Sequence, residues 1–258
     1  MNPRLLLLIV PAMALLSNCS EPPADVNCQH LEEREGVWYL PSNPEPYKGQ
    51  CTVHHPNGQV AFERTYDRGL ENGMQKEFFE SGNLRAQGAM VDGRLNGPFT
   101  EWYDNGQVHF EITWKDGLQS GKLSEFYEDG SKKMEAQFEA GIPVGTQTIW
   151  YSNGQAEKAT SFEKGLEHGP FETWHENGNS RMKGQVMAGK ESGQWQEWWE
   201  DGTLRSVSNW NAGVPVDSAL EYSEQGALIR LMVFDSGQVA ETHHYDPLSG
   251  QEVTAAAQ

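Results

Sequence analysis

Chemistry in a protein chain needs nucleophiles, bases or metal ligands gathered at workable spacing, and this chain offers few of them. Two histidine pairs, His54-His55 and His243-His244, are the first candidates. Neighbours in a strand point to opposite faces, so neither pair makes a chelate, and no metal site is expected. The chain contains no G-x-S-x-G, no H-E-x-x-H and no phosphate-cradling loop with a lysine. Carboxylates are plentiful, but Glu77, Glu101, Glu125 and Glu197 fall on polar strand positions, where a solvated face accounts for them. No pair is singled out for the two-carboxylate work of glycoside hydrolysis. The expectation is a protein without catalytic residues, cofactor or metal: a binding protein rather than an enzyme.

The residues that do recur keep a fixed interval. Gly58, Gly82, Gly106, Gly130, Gly154, Gly178, Gly202 and Gly226 are each 24 residues apart. A second column runs from Gly69 to Gly237 at the same step. A third runs from Gly73 to Gly193 and then lapses to Asp217 and Glu241. Three glycine columns in phase mean eight copies of one structural unit. The first column follows Asn57, Asn105, Asn153 and Asn177, with Asp129 and Asp201. Asn-Gly and Asp-Gly predict a two-residue type I′ hairpin with φ > 0 at both central residues. The second and third columns bracket a G-x-x-x-G turn to the next hairpin.

Between turns the apolar residues have period two, as in Val108, Phe110, Ile112 and Trp114 against His109, Glu111 and Thr113. Period two is a strand signature, and no stretch has the 3.6-residue period of a helix. The strand before each first-column glycine ends in adjacent aromatics: Phe78-Phe79, Trp102-Tyr103, Phe126-Tyr127, Trp150-Tyr151 and Trp198-Trp199. Counting across a two-residue turn sets Tyr103 opposite Val108 and Tyr151 opposite Ala156. Trp102, Phe126, Trp150, Trp174 and Trp198 then share the face away from Phe110, Ile112 and Trp114. Their expected cross-strand neighbours are His109, Lys133, Glu157, Arg181 and Arg205, mostly cations able to lie over a ring. This aromatic row with Lys133, Arg181 and Arg205 is the candidate partner-binding strip, although the same stacks could simply cover a thin sheet.

The unit Phe99-Thr100-Glu101-Trp102-Tyr103-Asp104-Asn105-Gly106, continued through Gly117 to Gly121, resembles the MORN repeat. More closely, it resembles the bacterial variant known as the YwqK-type antitoxin family. The resemblance covers residues 47–241. It implies an all-β fold: an elongated single-sheet array of about eight 24-residue hairpins. It supplies no catalytic residues. Families of this kind serve mostly as assembly platforms or lipid-associated proteins.

The first residues read as a targeting segment. Arg4 is followed by the apolar run Leu5–Leu16, too short for a bilayer span of ~20 residues. The run ends at Leu16-Ser17-Asn18-Cys19, which resembles the lipobox of bacterial lipoproteins. That resemblance implies cleavage after residue 18 and lipid on Cys19, and Ser20 in place of Asp implies the outer membrane, facing the periplasm. An ordinary cleaved signal with an incidental Cys19 is the alternative. With Cys19 lipidated, Cys28 and Cys51 form an even pair in an oxidising compartment and are expected as a disulfide, with free thiols as the alternative. The organisation is then a signal peptide at 1–18, a tether at 19–25, an N-terminal cap at 26–46, repeats at 47–241 and a tail at 242–258.

The formal charge of −18 repels phosphate backbones and excludes nucleic acid as a partner. The leading functional expectation is an envelope-anchored scaffold that presents a long β surface to an unidentified protein partner, touching the membrane through its lipid. An immunity-type protein that neutralises a toxin, or recognition of glycan or lipid head groups by surface aromatics, are the other classes.

Overall fold

A computed structural model of the chain describes residues 26–253. The expected signal segment, Cys19, the tether and the last five residues lie outside the described residues. Each 24-residue unit contributes two antiparallel strands, for example Arg94–Trp102 with Val108–Lys115, then Leu118–Phe126 with Lys132–Glu139. Every strand from Gly49–His54 to Gln238–His244 is laddered to the next hairpin arm in chain order. With Val26–Asn27 they make one sheet of nineteen strands among the described residues, the elongated array expected from the glycine columns. At ~4.8 Å per strand, each unit advances ~10 Å. Among the described residues no helix is long and apolar enough to cross a membrane.

The turns correct the expectation. At the first column the loop has three residues, not two. The Gly58 N–H donates to the His55 carbonyl (2.9 Å) and the His55 N–H to the Gln59 carbonyl (2.8 Å). Only the glycine has positive φ, +89°. This is a type I turn closed by a left-handed glycine, the bulged three-residue hairpin. Asparagine is there for its side chain. Asn57 Oδ1 accepts the Gln59 N–H, and Asn57 Nδ2 donates to the Glu80 carbonyl of the next unit (2.7 Å). The true two-residue turn with both φ positive sits at the second column, where Arg68 (+51°) precedes Gly69 (+73°) and Ala140 (+49°) precedes Gly141 (+80°). The third column is a left-handed bulge within the following strand. Asp217, where the glycine lapses, still adopts φ +58°.

The bulged loop inserts one residue after each first-column glycine and shifts the pairing. Trp102 lies opposite Val108 and Glu101 opposite Phe110, with His109 the extra residue. Likewise Trp150, not Tyr151, faces Ala156. The register read across a two-residue turn is therefore off by one at the aromatic pair, and the bulge restores it from Glu101 opposite Phe110 onward.

The sheet has a single layer, so its core is a strip along one face. Ile112, Leu123 and Ala136 are buried there, packed against Phe99, Phe110, Trp114, Met134 and Phe138. Burying a side chain such as Ile112 stabilises by ~1.5–3 kcal/mol. A second cluster closes the N-terminal end. Cys28 is bonded to Cys51, and Leu31, Tyr47, Cys51 and Tyr66 pack together beneath Trp38 and Leu40. Val26–Asn27 pairs in parallel with Cys51 and Thr52, and the hairpin Glu32–Arg34/Val37–Tyr39 rests on the Gly69 turn. At the other end the chain turns at Asp246 and folds back, with the Val253 N–H donating to the His244 carbonyl (2.7 Å).

Candidate functional site: the tryptophan face

Strand alternation divides each aromatic pair between the two faces. On the core face lie Phe79, Tyr103, Tyr127, Tyr151, His175 and Trp199. Their polar members span neighbouring units: the hydroxyls of Tyr103, Tyr127 and Tyr151 donate to the carbonyls of Phe126, Trp150 and Trp174 at 2.8, 2.7 and 2.9 Å. His175 Nε2 and His55 Nε2 do the same to Trp198 (3.0 Å) and Phe78 (2.9 Å). Each bond joins residues 23 apart and ties one hairpin to the next. Sequence reasoning missed this ladder. A hydrogen-bonding atom recurring in one column was the available signal. Burial pushes the Tyr103 and Tyr151 hydroxyls above the usual phenol value.

The opposite face carries the candidate strip. Phe78, Trp102, Phe126, Trp150, Trp174, Trp198 and Tyr222 occupy one column of it, one per unit, and all are partly exposed. Their cross-strand partners are Leu84, Val108, Lys132, Ala156, Ser180, Leu204 and Leu228. The row is therefore flanked mainly by apolar and small side chains. An open hollow beside Trp102 is lined by Asn83, Leu84, Asn105 and Gly106.

The cations expected beside this row are elsewhere. Lys133 Nζ bonds Glu125 Oε1 (2.7 Å) and sits 5.9 Å from the Tyr127 ring centroid, and Glu125 holds the lysine above its ordinary pKa. Arg205 lies 4.7 Å from the Trp199 ring and 3.8 Å from Glu197. His109 stands between Glu101 and Glu125 with its ring 4.5 Å from that of Tyr103. Arg181 lies beside the Tyr151 hydroxyl. Because of the one-residue bulge, Lys133, Arg181 and Arg205 belong to the core face, with the second aromatic of each pair. The glutamates expected on a solvated face share it: Glu77 is ion-paired to Arg85 at 2.6 Å, as Glu125 is to Lys133 and Glu197 to Arg205, and Glu101 lies 3.7 Å from the His109 ring. Among the described residues the cation that lies over a ring of the tryptophan row is Lys132, 5.8 Å from the Trp150 centroid. Lys132 also pairs with Glu135, which Lys122 and Lys132 together hold below the usual carboxylate range.

Among the described residues no group of three or more His, Cys, Asp or Glu could hold a metal ion. What the tryptophan face offers is stacking surface and apolar contact, repeated at even intervals. No curated protein matches the chain. Units five and six repeat both inter-unit hydrogen bonds of the third, as Tyr151 to Trp174 and Asn177 to Glu200 illustrate. A protein-family model described as MORN repeat variant matches residues 47–68, 71–91 and 95–116, so three consecutive units of this array are similar to MORN repeats.

Proposed function

We propose that the protein is a non-enzymatic docking scaffold, held to the cell envelope by lipid on Cys19, that binds a protein partner along its tryptophan face. The observation that carries this reading is the row from Phe78 to Tyr222, unbroken over seven units and covered by no other element among the described residues. Aromatic side chains are the residues that most often dominate protein interfaces. The MORN-type match supports a scaffold role, and the basic start, apolar run and Cys19 support anchorage in the outer membrane, facing the periplasm.

Photo-crosslinking in the intact envelope tests it. A photoreactive aromatic residue at Trp150 is expected to capture a discrete partner, while one at Met134, on the core face, is not. Equal capture from both faces, or none from Trp150, would overturn the docking reading. Cys19→Ala is expected to release the protein from the membrane fraction; unchanged partitioning into detergent would remove the anchor from the proposal.

A further inference from the structure

The two turn edges of the sheet differ in charge. At the bulged turns the residue before each Asn-Gly, Asp-Gly or equivalent pair is Glu80, Asp104, Glu128, Glu176, Glu200 or Glu224, with Pro56 and Ser152 in the remaining units. All six are exposed, and among the described residues none has a Lys, Arg or His within 4.0 Å. The carboxylates of the core face, three residues earlier, are neutralised by their own cations, as Glu77 is by Arg85 and Glu197 by Arg205. The loops of this edge contain no Lys or Arg at all. The opposite edge is mixed, with Arg68 paired to Asp92 and Lys48 to Asp67. The unpaired acids thus run beside the tryptophan row. The chain itself lays one ammonium on that row, Lys132 over Trp150.

Resting on the docking reading above, we infer that the partner is a cationic segment in an extended polyproline-II conformation, with a Lys or Arg at every third residue. Each cation would lie over one ring of the row, with an edge carboxylate beside it in every unit of the row but that of Trp150, whose turn carries Ser152. The spacing selects the conformation. Units repeat every ~9.6 Å, two strands at ~4.8 Å. A polyproline-II helix has three residues per turn and rises ~3.1 Å per residue, so the same face returns every ~9.3 Å. Over the four steps from Trp102 to Trp198 it drifts by ~1 Å. A β-strand turns every third residue to the opposite side. An α-helix returns after seven residues at ~10.5 Å and drifts by ~4 Å over the same span. Anionic lipid and nucleic acid are repelled by this edge.

The test uses the full chain and two blocked fifteen-residue peptides of equal composition, titrated by tryptophan fluorescence and calorimetry. One is five Arg-Pro-Pro repeats; the other has five contiguous arginines followed by ten prolines. The spaced peptide is expected to bind at least about tenfold more tightly. Glu128→Gln, Glu176→Gln and Glu200→Gln together, all at exposed loop positions, should weaken it about tenfold and flatten its salt dependence. Trp102→Ser, Trp150→Ser and Trp198→Ser together should also weaken it about tenfold; should that variant not fold, the glutamine variant still decides. Equal affinity for the two peptides, binding indifferent to the glutamine changes, or no binding overturns the inference. Crosslinking from Trp150 without peptide binding removes this inference alone, whereas absence of crosslinking removes the docking reading beneath it.

Discussion

The indole of Trp195 covers Gly184 on the neighbouring strand so closely that a Cβ on the glycine would stand 2.1 Å from the indole Cδ2. Gly88 and Phe99 make the same pair four units earlier, with a Cβ 2.7 Å from the ring. These two glycines belong to none of the three turn columns. Their backbone is ordinary strand, and what they provide is room for an aromatic ring. A one-layer sheet can bury a ring only over a residue without a side chain.

Gly184→Ala is therefore expected to destabilise by about 1–3 kcal/mol, the usual range for overpacking. Adding Trp195→Ala to the same chain should recover part of the loss, because the clash disappears. Chemical denaturation of the two variants checks this. Additive losses would mean that ring and glycine are not in contact.

Ala140, Ala188 and Ala212 hold φ near +50° in the two-residue turns, where a Cβ is strained. Replacing each with Gly is expected to raise stability by about 0.5–1 kcal/mol. Asp217→Gly, at the lapsed bulge position, should act in the same direction. Denaturation midpoints that fall or stay fixed at all four sites would place the left-handed residues elsewhere.

Asp129 caps its own turn, accepting the Ser131 hydroxyl at 2.6 Å and the Ser131 N–H at 2.8 Å, and these bonds, the hydroxyl's first, keep its carboxyl below the usual value. Unlike Asn57, Asn105, Asn153 and Asn177, it has no donor with which to reach the next unit. Asp129→Asn retains the acceptor and adds a bond to the Ser152 carbonyl. A gain of about 0.5–1 kcal/mol is expected, in line with one added hydrogen bond. A loss would show that the charge of Asp129 matters more than the link between units.

His243 joins the last strand to the C-terminal turn through Glu252 (2.6 Å) and Glu241 (3.2 Å), and these carboxylates, Glu252 first, raise its pKa above the ordinary 6.5. A raised histidine pKa contributes stability that is complete below the unfolded value and is lost as pH rises through the folded value. Protection of the Val253 amide, which bonds the His244 carbonyl, should accordingly decline from about pH 6.5 upward, after correction for intrinsic exchange. His243→Gln should abolish that dependence, and a variant that keeps it would assign the titration to another group.

The architecture was legible because glycine columns and period-two alternation are properties of sequence alone. The turn type was not. Asn-Gly fits a type I′ pair and also a type I turn closed by a left-handed glycine. The column that does form type I′ turns is led by Arg68, Asp92, Ala140 and Ser236, which have no common chemistry to betray it. From that one ambiguity came the slip that set Lys133, Arg181 and Arg205 beside the tryptophans. The division of each aromatic pair between faces survived it, because alternation along one strand does not depend on what lies across the turn. The acidic edge was equally hidden, since net charge carries no information about which carboxylates find partners.

The most direct test of the docking account is the combined change of Trp150, Trp174 and Trp198 to Ser, measured for both thermal unfolding and partner capture. The account predicts a Tm close to that of the parent chain and loss of the partner crosslinked near this face. A large fall in Tm, or undiminished capture with the fold intact, would contradict it and return the three rings to a structural role.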